Sequence, residues 1–513
     1  MKKSRTATRA DRPEWLVKAQ RFLASNVFFW GAVIIFGLEA AWIAISARYP
    51  QAFDEQFHFG IIQIYSHHLV PFLSNQPADA GQYGAVFRDP SYLYQYLLSF
   101  PYRLLTHITT SQTAQIIVLR LLNVGFFVGG LVVARRLLTF IRVSPGVRNM
   151  SIALLAFMPV MPQLAGQINY DNLVFLLGTG FLLLGLQIIQ KLREAKTMPW
   201  SRFAAFLTLG IAASLCKYAF LPILATMFVI VAVYAVRLAG KRLYGSFLPW
   251  IRRPTSWLLV VIVLVSCALL WQREGINTIT YHTPVPECDQ VISIEECLDY
   301  GPWARNYTFH NSHIQLGRGN ILTYPFVWLY HMQAETVFTI TSFFNDDGSV
   351  GYWVEPQLIL PTLLYWTIFI VGLLLALRYG RWLWHHESMR VLLIVAGVYV
   401  VVLFAQNFLD YVHVGIPIAI HGRYLLPVLA VLFAAVGMLL QHALHQWRLT
   451  ANRASMYLTL VGGLCCLTLL LEGGFVTFIV RSGPGWFWQQ NQSIQHINYD
   501  LQKVIKPSVI DAE

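Results

Sequence analysis

Long apolar runs recur along this chain, separated by short polar connections. A helix needs about 20 apolar residues to cross roughly 30 Å of hydrocarbon, and about eleven runs meet or approach that length. Their cores lie near Val27 to Ala47, Ala114 to Val133, Ser151 to Leu164, Asn172 to Ile189, Phe203 to Ala219, Leu221 to Val236, Trp257 to Leu270, Leu358 to Leu377, Val391 to Phe408, Leu425 to Leu440 and Tyr457 to Phe478. The pattern predicts an all-α polytopic membrane protein with one transmembrane domain over 27–480. A basic segment, 1–26, precedes it, with a surface helix expected over Pro13 to Leu23; it lacks a small-residue cleavage site, so the first apolar helix is expected to remain uncleaved. A tail, 481–513, follows, too short for a large globular domain. Two connections, 48–112 and 272–357, are long enough to carry structure of their own. In the first, Tyr92 to Leu105 is amphipathic and aromatic, which predicts helices lying in the interface.

Composition agrees with this reading: the 513 residues are 56% hydrophobic and 12% charged, too apolar for one soluble core. The net charge of +12 follows the loops. Lys2, Lys3, Arg5, Arg9, Arg12, Lys18 and Arg21 open the chain, and alternate connections repeat the bias: Arg135, Arg136, Arg142 and Arg148; Lys191, Arg193, Lys196 and Arg202; Arg237, Lys241, Arg242, Arg252 and Arg253; Arg378, Arg381 and Arg390; Arg448 and Arg453. Short basic loops stay cytoplasmic, so the N-terminus is assigned to the cytoplasm, and both long loops and the C-terminus to the opposite face. The basic residues form no compact patch, so membrane lipid is an expected partner and nucleic acid is not.

Of the six cysteines, Cys216, Cys267, Cys465 and Cys466 fall in apolar runs, where a thiol packs as a small hydrophobe. Cys288 and Cys297 are alone together in the second long loop, and a disulfide between them is expected if that side is oxidising. No Cys/His set has structural-zinc spacing; His385, His386, His442 and His445 read as loop residues of the cytoplasmic side.

Polar residues gather at the external ends of the helices in four places: Asp54, Glu55 and His58; Gln167, Asn169, Tyr170 and Asp171; Lys217 and Tyr218; and Asp410, Tyr411, His413, His421, Arg423 and Tyr424. Interfacial anchoring explains Tyr and snorkelling cations, but it does not call for Asp54, Glu55, Asn169 or Asp171.

The Asp54-Glu55-Gln56-Phe57-His58 element, the Asn169-Tyr170-Asp171 turn and Gly422-Arg423-Tyr424-Leu425-Leu426-Pro427 resemble, in order and on one face, motifs of the GT-C superfamily of membrane glycosyltransferases, in a bacterial branch. Softer similarities are Arg120-Leu121-Leu122 and Asp89-Pro90-Ser91-Tyr92-Leu93-Tyr94, and the resemblance runs from about Leu38 to Pro427. It implies a GT-C-like fold in a bacterial cytoplasmic (inner) membrane. The implied activity is that of a hexosyl or pentosyl transferase, moving a sugar from a polyprenyl-phosphate-linked donor to a glycan or lipid-linked acceptor on the periplasmic face. The short tail differs from oligosaccharyltransferases and favours a monosaccharide donor.

Such transfer needs a base for the acceptor hydroxyl and positive charge on the departing phosphate. By carry-over Asp54 is the base, with Glu55 second because adjacent side chains point apart. Arg423, whose planar fork suits phosphate, Lys217 and Arg120 are the phosphate ligands. Gly422 beside Arg423 permits close backbone approach. Asn169 and Asp171 hold sugar hydroxyls, orient Arg423, or cap a helix; Tyr92 and Tyr94 stack on a sugar or join an aromatic belt. His58, Tyr218, His421 and Tyr424 complete the expected substrate contacts. Metal use stays open: no cofactor is assigned, a divalent metal is one option at Asp54, Glu55 and His58, and Asn345-Asp346-Asp347-Gly348 is a loop that could hold calcium. Glu39, inside the first run, pairs with a cation, stays protonated, or marks a polar groove. The competing class is a lipid or polysaccharide transporter; a third is a structural partner in polysaccharide export.

Overall fold

The computed structural model describes residues 14–78, 80–240, 242–312, 314, 316–338, 340–344, 351–354, 358–446, 451–488 and 492–505. Among the described residues it is helical apart from one antiparallel strand pair, β1 (Ile340–Phe344) with β2 (Gly351–Val354). Among the described residues nine helical stretches are long and apolar enough to cross a membrane, and the chain is a polytopic helical membrane protein. Of the eleven runs in the sequence, the two outside that set are a 17-residue helix, Trp200–Cys216, and a run broken at Phe157 to Pro159 into Pro145–Ala156 and Val160–Ala165.

The amphipathic α1 (Glu14–Leu23) leads into α2 (Asn26–Ser46), whose start is fixed by Ser25, the side chain accepting from the Phe28 N–H at 3.2 Å. The first long loop holds α3 (Glu55–Ser66) and α4 (Leu93–Ile108), packed on each other. The bundle continues with α5 (Gln112–Phe140), α6 (Pro145–Ala156), α7 (Val160–Ala165), α8 (Tyr170–Ala195), α9 (Trp200–Cys216), α10 (Leu221–Ala239), α11 (Arg242–Ile251) and α12 (Pro254–Leu270). Its centre is the pair α5 and α8, where a Cβ on Gly130 would lie 2.3 Å from the Phe175 ring. Small residues allow this approach in a membrane, where packing replaces the hydrophobic effect between helices.

α12 continues through a π-helical turn, Trp271–Gly275, into α13 (Ile276–Tyr281), so the helix runs past the expected loop start at 272, and the second long loop then carries α14 (Cys288–Val291), α15 (Ile294–Leu298), α16 (Gly301–Asn311) and α17 (Arg318–Ala334). Then come α18 (Ile359–Trp384), α19 (Glu387–Val414), α20 (Leu426–Gln446), α21 (Ala451–Leu471), α22 (Phe475–Arg481) and α23 (Gln492–Ile505). Two further features modify the expected layout. α17 lies along the last turns of α19, with Tyr324 stacked on Tyr411 at 4.5 Å and the Trp328 indole donating to Asn407 Oδ1 at 3.0 Å. The tail begins docked rather than free: the Trp486 indole donates to Ser46 Oγ at 3.0 Å and the Trp488 indole to the Ile45 carbonyl at 3.1 Å.

Candidate active site

Asp54 and Glu55 are adjacent in sequence and opposite in surroundings. Phe53 and Asp54 both take left-handed backbone, φ 61° and 68°, which for such residues costs about 1–3 kcal/mol each and persists only where the surroundings enforce it. Asn169 supplies one clamp, its amide donating to the Phe53 carbonyl at 2.9 Å while its Oδ1 caps α8 by accepting from the Asp171 N–H at 2.9 Å. The first turn of α3 supplies the other, with the Phe57 and His58 N–H groups donating to the Asp54 carbonyl at 3.0 and 3.1 Å. The Asp54 carboxylate makes no capping bond and its side chain is 50% exposed.

Glu55 is fully buried against Arg120, whose Nε and Nη2 each donate to it at 2.7 Å. The Gln51 N–H at 2.7 Å and the Ile168 N–H at 3.1 Å also donate to the Glu55 carboxylate. The other Arg120 donors reach the carbonyls of Ala44, Ala47 and Arg48 at 3.3, 2.5 and 3.2 Å, so the five N–H groups of the guanidinium are all taken. The pair fastens the end of α2, α3, α5 and the turn before α8. Neither residue faces a cleft, which departs from the expected roles of Glu55 as second base and Arg120 as phosphate ligand.

The buried Arg423 guanidinium stands beside Asp54. Its Nη2 is 3.5 Å from Asp54 Oδ2 and its Nε 3.9 Å from Asp171 Oδ2, both beyond good hydrogen-bond range. Nε and Nη1 have no hydrogen-bond partner. The planar group lies over Phe53 at 4.5 Å and Tyr424 at 5.4 Å. Lys217 donates to Asp171 Oδ1 at 2.6 Å, over the rings of Tyr170 and Tyr424 at 4.7 and 4.4 Å. The charges therefore alternate, Asp54, Arg423, Asp171, Lys217, with Lys217 committed to Asp171 and Asp171 Oδ2 unpartnered. The backbone of Gly422 passes so close to the end of α17 that a Cβ there would sit 2.1 Å from both the Met332 carbonyl and Thr336 Cγ2. Gly422→Ala is expected to destabilise the fold by about 1–3 kcal/mol through overpacking and to displace Arg423; thermal denaturation in detergent checks this.

Two histidines frame the array. His58 is buried with Nδ1 3.1 Å from the Gln95 amide and its ring edge-on to Tyr170 at 4.5 Å. Burial, with the Arg423 charge second, pushes His58 down to about 3. His421 Nδ1 accepts from the Arg423 N–H at 3.1 Å, which puts the proton of the neutral ring on Nε2, 3.6 Å from Glu335 Oε2. Burial and then Arg423 and Lys217 hold His421 well below its ordinary value, and burial raises Glu335. A His that stays neutral when folded but titrates near 6.5 when unfolded gives stability that is complete above about pH 6.5 and is lost as pH falls toward the folded value. For His58 the window runs from about 6.5 down to about 3, and each unit of pH within it is expected to cost about 1.4 kcal/mol. Melting curves taken between pH 7.5 and 5.5 should fall accordingly, and His58→Gln should flatten part of the slope.

The remaining expected contacts divide. Tyr94 donates to Asn123 Oδ1 at 2.9 Å, and Tyr92 lies under the Arg273 guanidinium at 4.6 Å. Both rings are buried, so neither offers a free face to a sugar. Tyr218 accepts from Gln406 at 3.4 Å at the rim, and Tyr424 lies between the cations. Glu39 is buried within α2 with Oε2 unpartnered. Among the described residues no group of three or more His, Cys, Asp or Glu could hold a metal ion; Asp54, Glu55 and His58 diverge into different surroundings, and Asn345-Asp346-Asp347-Gly348 lies outside the described residues. Cys288 and Cys297 are joined in a disulfide, and three residues on Tyr300 sets its ring against Phe57 at 5.3 Å, bringing the second loop over the first near Asp54. Phe53, Glu335 and Tyr300 stand at the site without being among the residues that the sequence motifs mark. For Phe53, its place beside Asp54 was the one available signal; the other two carry none.

No protein-family model matches the sequence, and no curated protein matches it. Solved structures similar to it are of the oligosaccharyltransferase of the archaeon Archaeoglobus fulgidus. One is AglB in complex with an inhibitory peptide and a dolichol-phosphate, with TM-score 0.40, 14% identity, 92% of this chain and 59% of that chain covered. Another is the apo form, with TM-score 0.43, 14% identity and coverage of 92% and 60%. A third carries a tethered acceptor peptide, with TM-score 0.42, 14% identity and coverage of 91% and 56%. The chain thus spans less than two thirds of the length of those proteins.

An apolar groove of about 910 Å³ opens between α17, α18, α19 and α20. One end is walled by Met332, Thr336 and Gly422, the residue before Arg423, and the other by Arg381 and Trp384. Along α18 the lining runs from Tyr365 to Trp384, roughly 30 Å by helical rise, about the thickness of the hydrocarbon layer.

Proposed function

We propose that the chain is a membrane glycosyltransferase that moves a sugar from a polyprenyl-phosphate donor to a glycan or lipid-linked acceptor. The observation that carries this reading is that the membrane-depth groove reaches Gly422, the residue before Arg423, whose guanidinium stands 3.5 Å from Asp54. A polyprenyl phosphate sugar is a long apolar chain, a phosphate and a sugar in a row; groove, guanidinium and carboxylate follow in the same order. The donor's tail enters from the bilayer between α17 and α18, and its phosphate meets the Arg423 guanidinium on the side of the exposed Asp54 carboxylate. Asp54 accepts the proton of the acceptor hydroxyl as its oxygen forms the bond to the anomeric carbon. The bond from that carbon to the phosphate oxygen breaks in the same displacement, leaving polyprenyl phosphate and inverting the centre. Lys217 neutralises Asp171, and together they and Tyr424 hold Arg423 in place, a preorganised charge that needs no rearrangement during the reaction. Asn169 keeps the Phe53–Asp54 turn, and His58 packs neutral beneath it. The active face is the periplasmic side of a bacterial cytoplasmic membrane, with the N-terminus in the cytoplasm, as the basic loops assign it.

A photoreactive isoprenyl phosphate tests the groove directly. Labelling of α18 and α20 residues such as Leu373 and Leu432, displaced by polyprenyl phosphate but not by the uncharged alcohol, is the expected result. Labelling spread evenly over the lipid-facing helices would overturn the assignment. Affinity should rise with chain length by about 0.8 kcal/mol per buried methylene until the groove is filled, measurable by competition.

A further inference from the structure

The opposite, basic face holds a second arrangement of charge. Arg135, near the end of α5, donates to Asn26 Oδ1 at the start of α2 at 2.5 Å and lies over the Phe29 ring at 4.1 Å. Arg148, in α6, donates to Thr139 Oγ1 at 2.9 Å, and the Thr139 hydroxyl in turn donates to the Arg135 carbonyl at 2.7 Å. Thr139 thus ties the Arg148 guanidinium to the backbone of Arg135 across one short connection. The Nε atoms of both arginines are buried and have no hydrogen-bond partner. Asn149, next to Arg148, fixes the corner by donating to the carbonyls of Leu23 and Ser25 at 3.0 and 2.9 Å.

Nothing nearby in sequence supplies a counter-charge. Residues 15–38, 112–170 and 440–471 contain no Asp or Glu, and Glu14, which opens α1, is paired with Lys18 at 2.7 Å. Like charges held together with unused donors call for an anion. The depth of the corner indicates which anion. α5 has 29 residues, about 43 Å of helix, close to the 40–45 Å of a bilayer with its headgroups, so Arg135, about 13 Å from the midpoint of the helix, sits at the edge of the hydrocarbon layer with its long side chain within reach of the headgroups. α1 packs beside the corner with Trp15 and Phe22 exposed, the habit of a helix lying in the interface.

We propose that Arg135 and Arg148 form a binding site for the phosphate of an anionic phospholipid headgroup, separate from the Asp54–Arg423 site and not dependent on its function. A glycerophospholipid phosphate would meet the two partly exposed guanidinium groups from the membrane side while its acyl chains lie along α2 and α5.

The test uses the full chain in discs of phosphatidylcholine alone or doped with phosphatidylglycerol, read by native mass spectrometry of retained lipid and by melting temperature. Wild type is expected to retain phosphatidylglycerol and melt higher with it. Arg135→Gln and Arg148→Gln should each weaken retention by about five-fold, whereas Arg135→Lys and Arg148→Lys, which keep the charge and guard against misfolding, should weaken it less. The neighbouring exposed Arg136 is the control. If Arg136→Gln weakened retention as much as Arg135→Gln, the binding would be general loop charge and the proposal overturned. If inorganic phosphate raised the melting temperature and phosphatidylglycerol added nothing, the site would serve a soluble anion and the lipid assignment would fail.

Discussion

Asp54→Asn is expected to lower the turnover number by about 10²–10⁴-fold, the usual contribution of a positioned general base, while leaving donor affinity within a few-fold of wild type. The asparagine has nearly the same shape and no side-chain bond of Asp54 is lost, since the carboxylate caps nothing. Its nearest charged neighbour, Arg423, is 3.5 Å away and stays held by its own backbone bond to His421 and by the rings beneath it. The substitution therefore removes proton acceptance and little else, and folding should be unchanged. Kinetics with saturating donor and varied acceptor, alongside a melting curve, separate the two effects. A loss of melting temperature comparable to the loss of turnover would show that Asp54 supports the turn rather than the chemistry.

One residue on, the same kind of change acts through the fold. Glu55→Ala leaves the fully buried Arg120 guanidinium without its carboxylate, and breaking such a pair costs about 3–5 kcal/mol, a large part of a typical folding free energy. Two backbone donors, from Gln51 and Ile168, lose their acceptor as well, and each buried unsatisfied group adds about 1–3 kcal/mol. Glu55→Ala is expected to be recovered from the membrane in low yield, with a depressed melting temperature. Arg120→Met alone should be similarly harmful. The pair of changes together should cost less than the sum, because neither charge is then left unpaired. A double-mutant cycle on melting temperature checks this, and strict additivity would contradict the assigned coupling.

This contrast shows how far the sequence reads. The polytopic helical class was legible, and nine of the eleven runs recur among the described residues as long apolar helices, because apolar run length acts locally. The division of labour between Asp54 and Glu55 was not, since it depends on φ at Phe53 and Asp54 and on a partner, Arg120, 65 residues away in the chain. Lys217 likewise reads as a free cation until α8 brings Asp171 to it. Tyr92 and Tyr94 lie in an aromatic stretch that looks interfacial, yet Asn123 and Arg273 draw both rings inward. α17 escaped because Pro325 and scattered polar residues lower its hydropathy, although the opposite side of Tyr324 and Trp328 exposes Leu322 and Phe326.

The most direct test of the central claim is the release of free polyprenyl phosphate by the purified protein in lipid discs, given a panel of polyprenyl-phosphate sugars with and without cell-envelope glycan. The account predicts release that requires acceptor, matches sugar gained by the glycan, and disappears with Asp54→Asn. Sugar-lipid moving between leaflets with its phosphate bond intact would contradict it and identify a transporter.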